Sequence, residues 1–150
     1  MTIFFDTSVL VAACQQAHEH HAQAWPALRR VVSGKDKGFM GAHSIAEMYA
    51  TLTRLPVRPR IHPVEAARIV TENILSHFET VPISKKDYLQ ALDLVMSGGW
   101  PGAKIYDALL LCCAEKCGAQ LIYTFNWRDF QPLAPANLQD RICAPPVGVS

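Results

Sequence analysis

Short β-rich runs alternate with amphipathic stretches along almost the whole chain, and this alternation constrains the fold more than any other feature. Four runs rich in β-branched and aromatic residues predict short buried strands: TIFF (2–5), GFMGA (38–42), FETVPI (78–83) and AQLIYTF (119–125). Apolar residues recur at helical spacing between them. The predicted order βααβααβααββ is typical of a mainly parallel sheet covered by helices on both faces. We therefore expect a three-layer α/β/α fold, in a single domain spanning 1–150.

Caps and helix breakers set the expected helix boundaries. Thr7 or Ser8 is expected to cap a helix over 8–16, and Ser44 to cap a helix that ends near Leu55, before Pro56. Pro63 suits the first position of a helix that continues to about residue 78. Further predicted elements are a helix that runs to about residue 32, helices at 84–96 and 103–118, a turn at 126–130 and a last short strand within 138–144.

Charge and composition exclude several classes of protein. Lys and Arg number 14 and Asp and Glu number 13, so the net charge of +1 argues against a strongly basic nucleic-acid scaffold. No apolar run reaches the length of about 18 residues that a membrane span needs. The start, MTIFFD, lacks the basic region of a signal peptide, and the 5 cysteines show no CxxC spacing. We expect a cytoplasmic protein with free thiols and no membrane association.

Acidic residues fall where they are hardest to explain as solvated surface. Asp6 directly follows the apolar run TIFF, and Asn126 and Asp129 follow AQLIYTF, at the same sheet edge if both strands are parallel. Glu47 and Asp107 lie near helix starts beside apolar neighbours. Each acid alone fits a cap or a turn. Together, carboxylates in apolar surroundings would repel one another, and a hard divalent cation such as Mg²⁺ relieves that repulsion.

Three segments, in this order, carry a family resemblance: IFFDTSVL, HSIAEMYATLTRLP and IYDALLLCCAEKCGAQLIYTFNWRDF. They resemble the PIN domain, most closely the VapC-type toxins of bacterial toxin–antitoxin pairs, over nearly the whole chain. The resemblance implies a Mg²⁺- or Mn²⁺-dependent ribonuclease that cleaves single-stranded or structured RNA. It also implies a homodimer and a cognate VapB-like antitoxin whose C-terminal arm blocks the acidic pocket.

The resemblance also assigns the site residues. It implies that Asp6, Glu47 and Asp107 are catalytic metal ligands. Many PIN domains carry a further Asp at the position of Asn126, so Asp129 is expected to be the fourth acid, with Asn126 as a neutral ligand or orienting group.

Four further residues are expected to assist these acids. Ser8 and Thr124 are placed to orient Asp6 or to act as neutral ligands. Lys104, one turn before Asp107, and Arg128 are the expected substrate contacts.

Other patterns leave alternatives open. The histidine-rich stretch HEHH at 18–21 is expected to be a solvated helix start rather than a zinc site. Trp100 and Trp127 are open to either base stacking or core packing. A haloacid-dehalogenase-type phosphatase needs a second Asp where this chain has Ser8. A catalytically lapsed PIN-like module that binds RNA or protein is the alternative function, and Asn126 is the residue that favours it.

Overall fold

The computed structural model describes residues 1–148, and within them five strands form one parallel sheet. The strands are β1 (Thr2–Phe5), β2 (Lys37–Gly41), β3 (Glu79–Val81), β4 (Leu121–Tyr123) and β5 (Ile142–Cys143). Their spatial order is β3–β2–β1–β4–β5, with every neighbouring pair parallel. The parallel sheet that the alternation predicts is therefore confirmed, and β1 lies at its centre.

Helices connect the strands and cover both faces of the sheet. They are α1 (Thr7–Cys14), α2 (His21–Val32), α3 (His43–Arg54), α4 (Pro63–Arg68), α5 (Lys85–Gly98), α6 (Lys104–Lys116), α7 (Trp127–Phe130) and α8 (Ala136–Gln139). A π-helical segment, Ile69–Leu75, continues α4. The predicted turn at 126–130 is thus the short helix α7, and the predicted last strand is reduced to β5 after α8.

The central strand shows why the fold has three layers. Side chains alternate across a strand, so Ile3 and Phe5 enter one core while Phe4 enters the other. The first core is formed with α1, α2, α3, α4 and the π-helical segment, and the second with α5, α6, α7 and α8. Both cores are apolar, and the three-layer α/β/α architecture is confirmed.

Gly38 allows the ring of Phe78, just before β3, to approach the sheet closely. A Cβ atom at Gly38 in β2 would lie 2.6 Å from the ring of Phe78 and 2.8 Å from Val31. Phe78 in turn packs edge-on against Phe5, with ring centroids 4.9 Å apart. The missing side chain therefore lets the first core close against β2.

The caps of α1 and α3 differ from the sequence prediction. Asp6, not Thr7 or Ser8, occupies the N-cap position of α1, and α3 begins at His43, one residue before the predicted cap Ser44. The hydroxyl groups of Thr7 and Ser44 contact each other at 2.8 Å instead. The Thr7 and Ser44 hydroxyls thus connect α1 to α3 and do not cap their own helices.

All five cysteines lie in, or pack against, the two apolar cores. The five cysteines are free, and Cys112 and Cys113 are buried in α6. Burial raises the pKa of the Cys113 thiol to about 12. Within residues 1–148, no helix is both long enough and apolar enough to cross a bilayer.

Candidate active site

Asp6 lies at the carboxyl end of the central strand, where its backbone is tied to the next strand. Its N–H donates to the carbonyl of Tyr123 at 2.9 Å, which extends the β1–β4 pairing by one residue. The residue is only 5% exposed. Burial raises the pKa of its carboxyl above the ordinary value, although hydrogen bonds from Ser8 and Thr124 oppose the shift.

Two hydroxyl groups hold the Asp6 carboxylate in place. Ser8 Oγ donates to Asp6 Oδ2 at 2.7 Å, and Thr124 Oγ1 donates to the same oxygen at 2.8 Å. Both hydroxyls also accept a backbone N–H, Ser8 from Phe125 at 3.3 Å and Thr124 from Asn126 at 3.0 Å. These contacts connect the end of β1 to the segment after β4, and the orienting or ligand roles of Ser8 and Thr124 stay predictions.

Glu47 reaches the same region from the second turn of α3. Its Oε1 lies 3.3 Å from the Thr7 hydroxyl and 3.9 Å from Nε2 of His43. Desolvation raises the pKa of the Glu47 carboxyl, and the negative charge of Asp6 raises it further, while His43 and Thr7 oppose the shift. The negative charge of Asp6 thus disfavours the charged form of Glu47.

Asp107 lies in the first turn of α6 and is the most perturbed of the half-buried acids. Burial, followed by the charge of Asp6, raises its pKa to about 6. The charges of Asp129 and Glu47 add to the shift, and Lys104 opposes it. Asp107 therefore titrates close to neutral pH, which is where a group that accepts or releases protons is useful.

An open cavity of about 450 Å³ brings these acids together. Its lining includes residues from five parts of the chain: Asp6, Ser8, His18, Glu19, His20, Glu47, Thr51, Tyr106, Asp107, Phe125 and Asn126. The helix α1 begins here, and so does α6, so two helix N-termini face the negatively charged groups. The cavity lies at the carboxyl edge of the sheet, as expected for a parallel α/β fold.

Asn126 and Asp129, the two candidates for the fourth ligand, occupy different positions in the segment after β4. Asn126 lies in the cavity wall. The Asp129 side chain is 68% exposed, and its Oδ1 lies 3.9 Å from Lys104 Nζ. Whether Asn126 or Asp129 acts as the fourth ligand stays a prediction. Of these two residues, Asp129 is the one whose charge contributes to the raised pKa of Asp107.

The predicted substrate contacts have partners within the fold. Lys104 Nζ donates to the backbone carbonyl of Asp129 at 3.0 Å and lies 5.2 Å from the ring centre of Trp100. The guanidinium of the exposed Arg128 lies 4.8 Å from the ring centre of Trp127. Both tryptophan rings are thus covered by a cation, and the roles of Lys104 and Arg128 toward a substrate stay predictions.

Sequence reasoning missed the part of the cavity that the loop between α1 and α2 supplies. We expected the stretch 18–21 to be a solvated helix start, but His18, Glu19 and His20 line the cavity. The ring of His20 stacks on Phe125 with centroids 4.4 Å apart. This loop contacts Phe125, which is distant in sequence, and such a contact produces no local sequence pattern. The number of histidines was the one feature of the loop that stood out in the sequence.

The chemistry of the donor set fits a hard divalent cation. Asp6, Glu47 and Asp107 offer carboxylate oxygens, which Mg²⁺ and Mn²⁺ prefer. No Lys, Arg or His among residues 1–148 lies within 4.0 Å of a carboxylate oxygen of Asp6 or Asp107. In the same range, no three Asp, Glu, His or Cys side chains are close enough to hold one ion directly. The fit is therefore to an ion such as Mg²⁺, which binds through one or two carboxylates and retains water.

Fold and site together define a class: a parallel α/β/α protein with converging acidic side chains at the carboxyl edge of its sheet. The family model of the PIN domain matches residues 3–134. The chain belongs to the PIN domain family.

Individual relatives agree with this assignment. Ribonuclease VapC40 of Mycobacterium tuberculosis is 34% identical over 117 residues, which cover 78% of this chain and 81% of that protein.

Solved structures show the same fold. Mycobacterium tuberculosis VapC20, a toxin that cleaves the sarcin–ricin loop, superposes with a TM-score of 0.64 at 22% identity, over 82% of this chain and 88% of its own. VapBC2 of Rickettsia felis, bound to a DNA fragment from their promoter, gives 0.61 at 17% identity, over 89% and 96%.

Proposed function

We propose that this chain is a Mg²⁺- or Mn²⁺-dependent ribonuclease that acts as the toxin of a toxin–antitoxin pair. The observation that carries the proposal is the convergence of Asp6, Glu47 and Asp107 on one open cavity. Among the described residues, no Lys, Arg or His lies within 4.0 Å of a carboxylate oxygen of Asp6 or Asp107. Its relative VapC40 is named a ribonuclease. A single buried acid is a common structural feature, but three acids facing solvent-filled space favour phosphodiester chemistry.

The cavity residues would have different roles in hydrolysis. Asp6, held by Ser8 and Thr124, and Asp107 would hold the divalent cation together with retained water, and Glu47 and Asn126 line the same cavity. A bound cation supplies the Lewis acidity and positive charge that phosphodiester hydrolysis requires. In the reaction, the oxygen of a water forms a bond to phosphorus and the bond to the leaving ribose oxygen breaks. Glu47, a carboxylate of the same cavity, would accept the proton lost by the water, and a second water would protonate the leaving ribose oxygen.

The decisive experiment replaces the central carboxylate. We expect Asp6→Asn to reduce Mn²⁺-dependent cleavage of single-stranded RNA by at least about 100-fold, because the amide still accepts from Ser8 and Thr124 but lacks the negative charge that attracts the cation. Cleavage is measured with purified wild-type and variant chains, with Mn²⁺ or with EDTA. The matched control is Asp93→Asn, an exposed acid on α5, which leaves the rate unchanged.

Two results would contradict the proposal. Cleavage by Asp6→Asn at the wild-type rate would show that the acids are not the active site. Wild-type cleavage that persists in EDTA would show that no cation is needed. Circular dichroism of the variant, compared with the wild type, confirms that a loss of activity is not a loss of fold.

A catalytically lapsed PIN-like module that binds RNA or protein is the alternative function. Asn126 in the cavity wall favours it, because an amide stands where the resemblance expects an acid. Isothermal titration with Mn²⁺ separates the two proposals. A nuclease binds the ion and cuts RNA, whereas a lapsed module that retains only its partner binding does neither.

Partners follow from the same family relationship. We propose a cognate VapB-like antitoxin that inhibits the toxin by inserting a segment into the acidic cavity, supported by the structural match to VapBC2. We also propose a homodimer, for which the exposed apolar residues Tyr88, Leu92 and Met96 on α5 offer a face. Co-expression with the antitoxin and measurement of the mass in solution test both.

A further inference from the structure

Two stacked pairs of rings border the acidic cavity, and hydrolysis as described above uses neither. In the first pair, His20 and Phe125 lie with centroids 4.4 Å apart and planes inclined by 19°. In the second, His43 and Tyr106 lie 5.4 Å apart and nearly parallel, at 5°. The four rings come from four different parts of the chain, so tertiary packing alone brings each pair together.

Each ring pair is attached to one of the acids. Phe125 donates its N–H to Ser8 Oγ, and the Ser8 hydroxyl donates to Asp6. Tyr106 immediately precedes Asp107 on α6. Because His20, Phe125 and Tyr106 line the same cavity as Asp6 and Asp107, we expect a group stacked on these rings to lie near a phosphate held by the acids.

The rings also present surface that a ligand can reach. The His20 side chain is 43% exposed and Tyr106 is 48% exposed, and both line the cavity. The rings of Trp100 and Trp127 differ, because Lys104 and Arg128 cover them. Aromatic faces beside a phosphate site are what unpaired nucleic-acid bases bind, since every base has a π face to stack.

We propose that the His20–Phe125 and Tyr106–His43 pairs bind the unpaired bases that flank the cleaved phosphodiester. The inference rests on the proposed ribonuclease function and adds to it: the RNA must be unpaired at the cut, and these rings determine which nucleotides are preferred there. Stacking needs a base to be turned out of a duplex, so paired RNA is excluded from the cavity.

The test removes a ring and, separately, removes a base. Wild-type chain, His20→Leu and Tyr106→Leu digest a pool of random-sequence single-stranded RNA with Mn²⁺, and sequencing of the cut ends gives the nucleotide preference. The oligonucleotide that is cut best is then remade with a tetrahydrofuran abasic nucleotide at each position flanking the cut. His20→Phe and Tyr106→Phe keep a ring, and Trp25→Leu on α2 is the matched control for an exposed aromatic outside the cavity.

We expect each Leu variant to lower kcat/KM on intact RNA about tenfold and to weaken the preference at one flanking nucleotide. The Phe variants should restore most of the rate, and Trp25→Leu should match the wild type. On the RNA that is abasic at the matching position, the Leu variant and the wild type should be equally slow, because the stacking partner is already gone.

Three outcomes would overturn the inference. The first is a rate loss of the same factor on intact and abasic RNA, which would assign the rings to loop packing. The second is an unchanged rate and preference in both Leu variants. The third is a wild-type chain that cuts no RNA, which removes the proposed function together with this inference. The first two leave the ribonuclease proposal standing, so the failures are distinguishable.

Discussion

At the scale of single residues, the Asp107 carboxyl lowers the stability of the fold because its position in the cavity disfavours its charged form. Its pKa is raised from 3.8 to about 6, first by desolvation and then by the charge of Asp6. The folded chain thus holds a proton that the unfolded chain has already released. Stability therefore falls as the pH rises through the interval from about 4 to 6, and the full cost is present above it.

We predict that Asp107→Asn stabilises the metal-free protein above pH 6. The expected gain is about 1–2 kcal/mol at pH 7.5, after allowance for solvent screening of this half-buried group. The gain should vanish below about pH 4, where both forms carry a neutral side chain. Urea unfolding in EDTA at several pH values measures it, with Asp93→Asn as the control. An equal effect of Asp107→Asn at pH 3.5 and 7.5 would contradict the charge-based account.

The sequence predicted the acids of the site better than their surroundings. Asp6 was predictable because an apolar strand ends directly at it, and Glu47 and Asp107 because they follow the same logic at helix starts. His20 and Tyr106 were not, since the contacts that place them join distant parts of the chain. The choice between Asn126 and Asp129 was also beyond the sequence, because the short helix α7 sets the direction of each side chain.

At the scale of secondary-structure elements, Asp87 joins α5 to α6. It belongs to the capping box at the start of α5 and forms an ion pair with Lys116 of α6. Ser84 and Asp87 cap the start of α5 reciprocally, with Ser84 N donating to Asp87 Oδ2 at 2.8 Å. Lys116, in the last turn of α6, donates to the same oxygen at 2.8 Å and to the carbonyl of Pro82 at 3.0 Å. The start of one helix is thereby fastened to the end of the other.

We predict that Asp87→Ala destabilises the fold by about 2 kcal/mol at pH 7, since it removes the cap and a charge-assisted hydrogen bond. The hydrogen bond from Lys116 holds the pKa of Asp87 below its usual value of 3.8. That stability is present above pH 4 and is lost as the pH falls through the lowered pKa, so the difference from the wild type should shrink in strong acid. Chemical unfolding measures it, and Asp93→Ala in the same helix is the control. A difference that grows in acid would be inconsistent with this pairing.

The order of elements was predictable where periodicity is strong. The parallel sheet and both helical layers follow from the alternation in the sequence. The predicted helix from Pro63 to about residue 78 changes to π geometry at Ile69, and the helix at Trp127 replaces a predicted turn. Hydrophobic spacing does not distinguish α from π hydrogen bonding, and four-residue helices are too short to show a period.

At the scale of the whole molecule, folding itself assembles the acidic cavity. The acids come from positions 6, 47 and 107, from the ends of elements that only the tertiary fold brings together. The unfolded chain disperses these charges, so it has little affinity for a divalent cation. A ligand that binds only the folded state must raise the stability of that state.

We therefore predict that Mn²⁺ raises the melting temperature of the chain, and that Asp6 is required for the effect. At a concentration about 100 times the dissociation constant, the gain is about 2.7 kcal/mol, which corresponds to a rise of about 5–10 °C for a domain of this size. Thermal unfolding with Mn²⁺, compared with NaCl at equal ionic strength, measures the shift. Asp93→Asn should retain the shift and Asp6→Asn should lose most of it, because the latter change removes the ligand at the centre of the sheet edge and leaves the fold intact. An equal rise in all three proteins would place the ion elsewhere on the surface, and no rise in the wild type would mean that folding does not build a cation site at all.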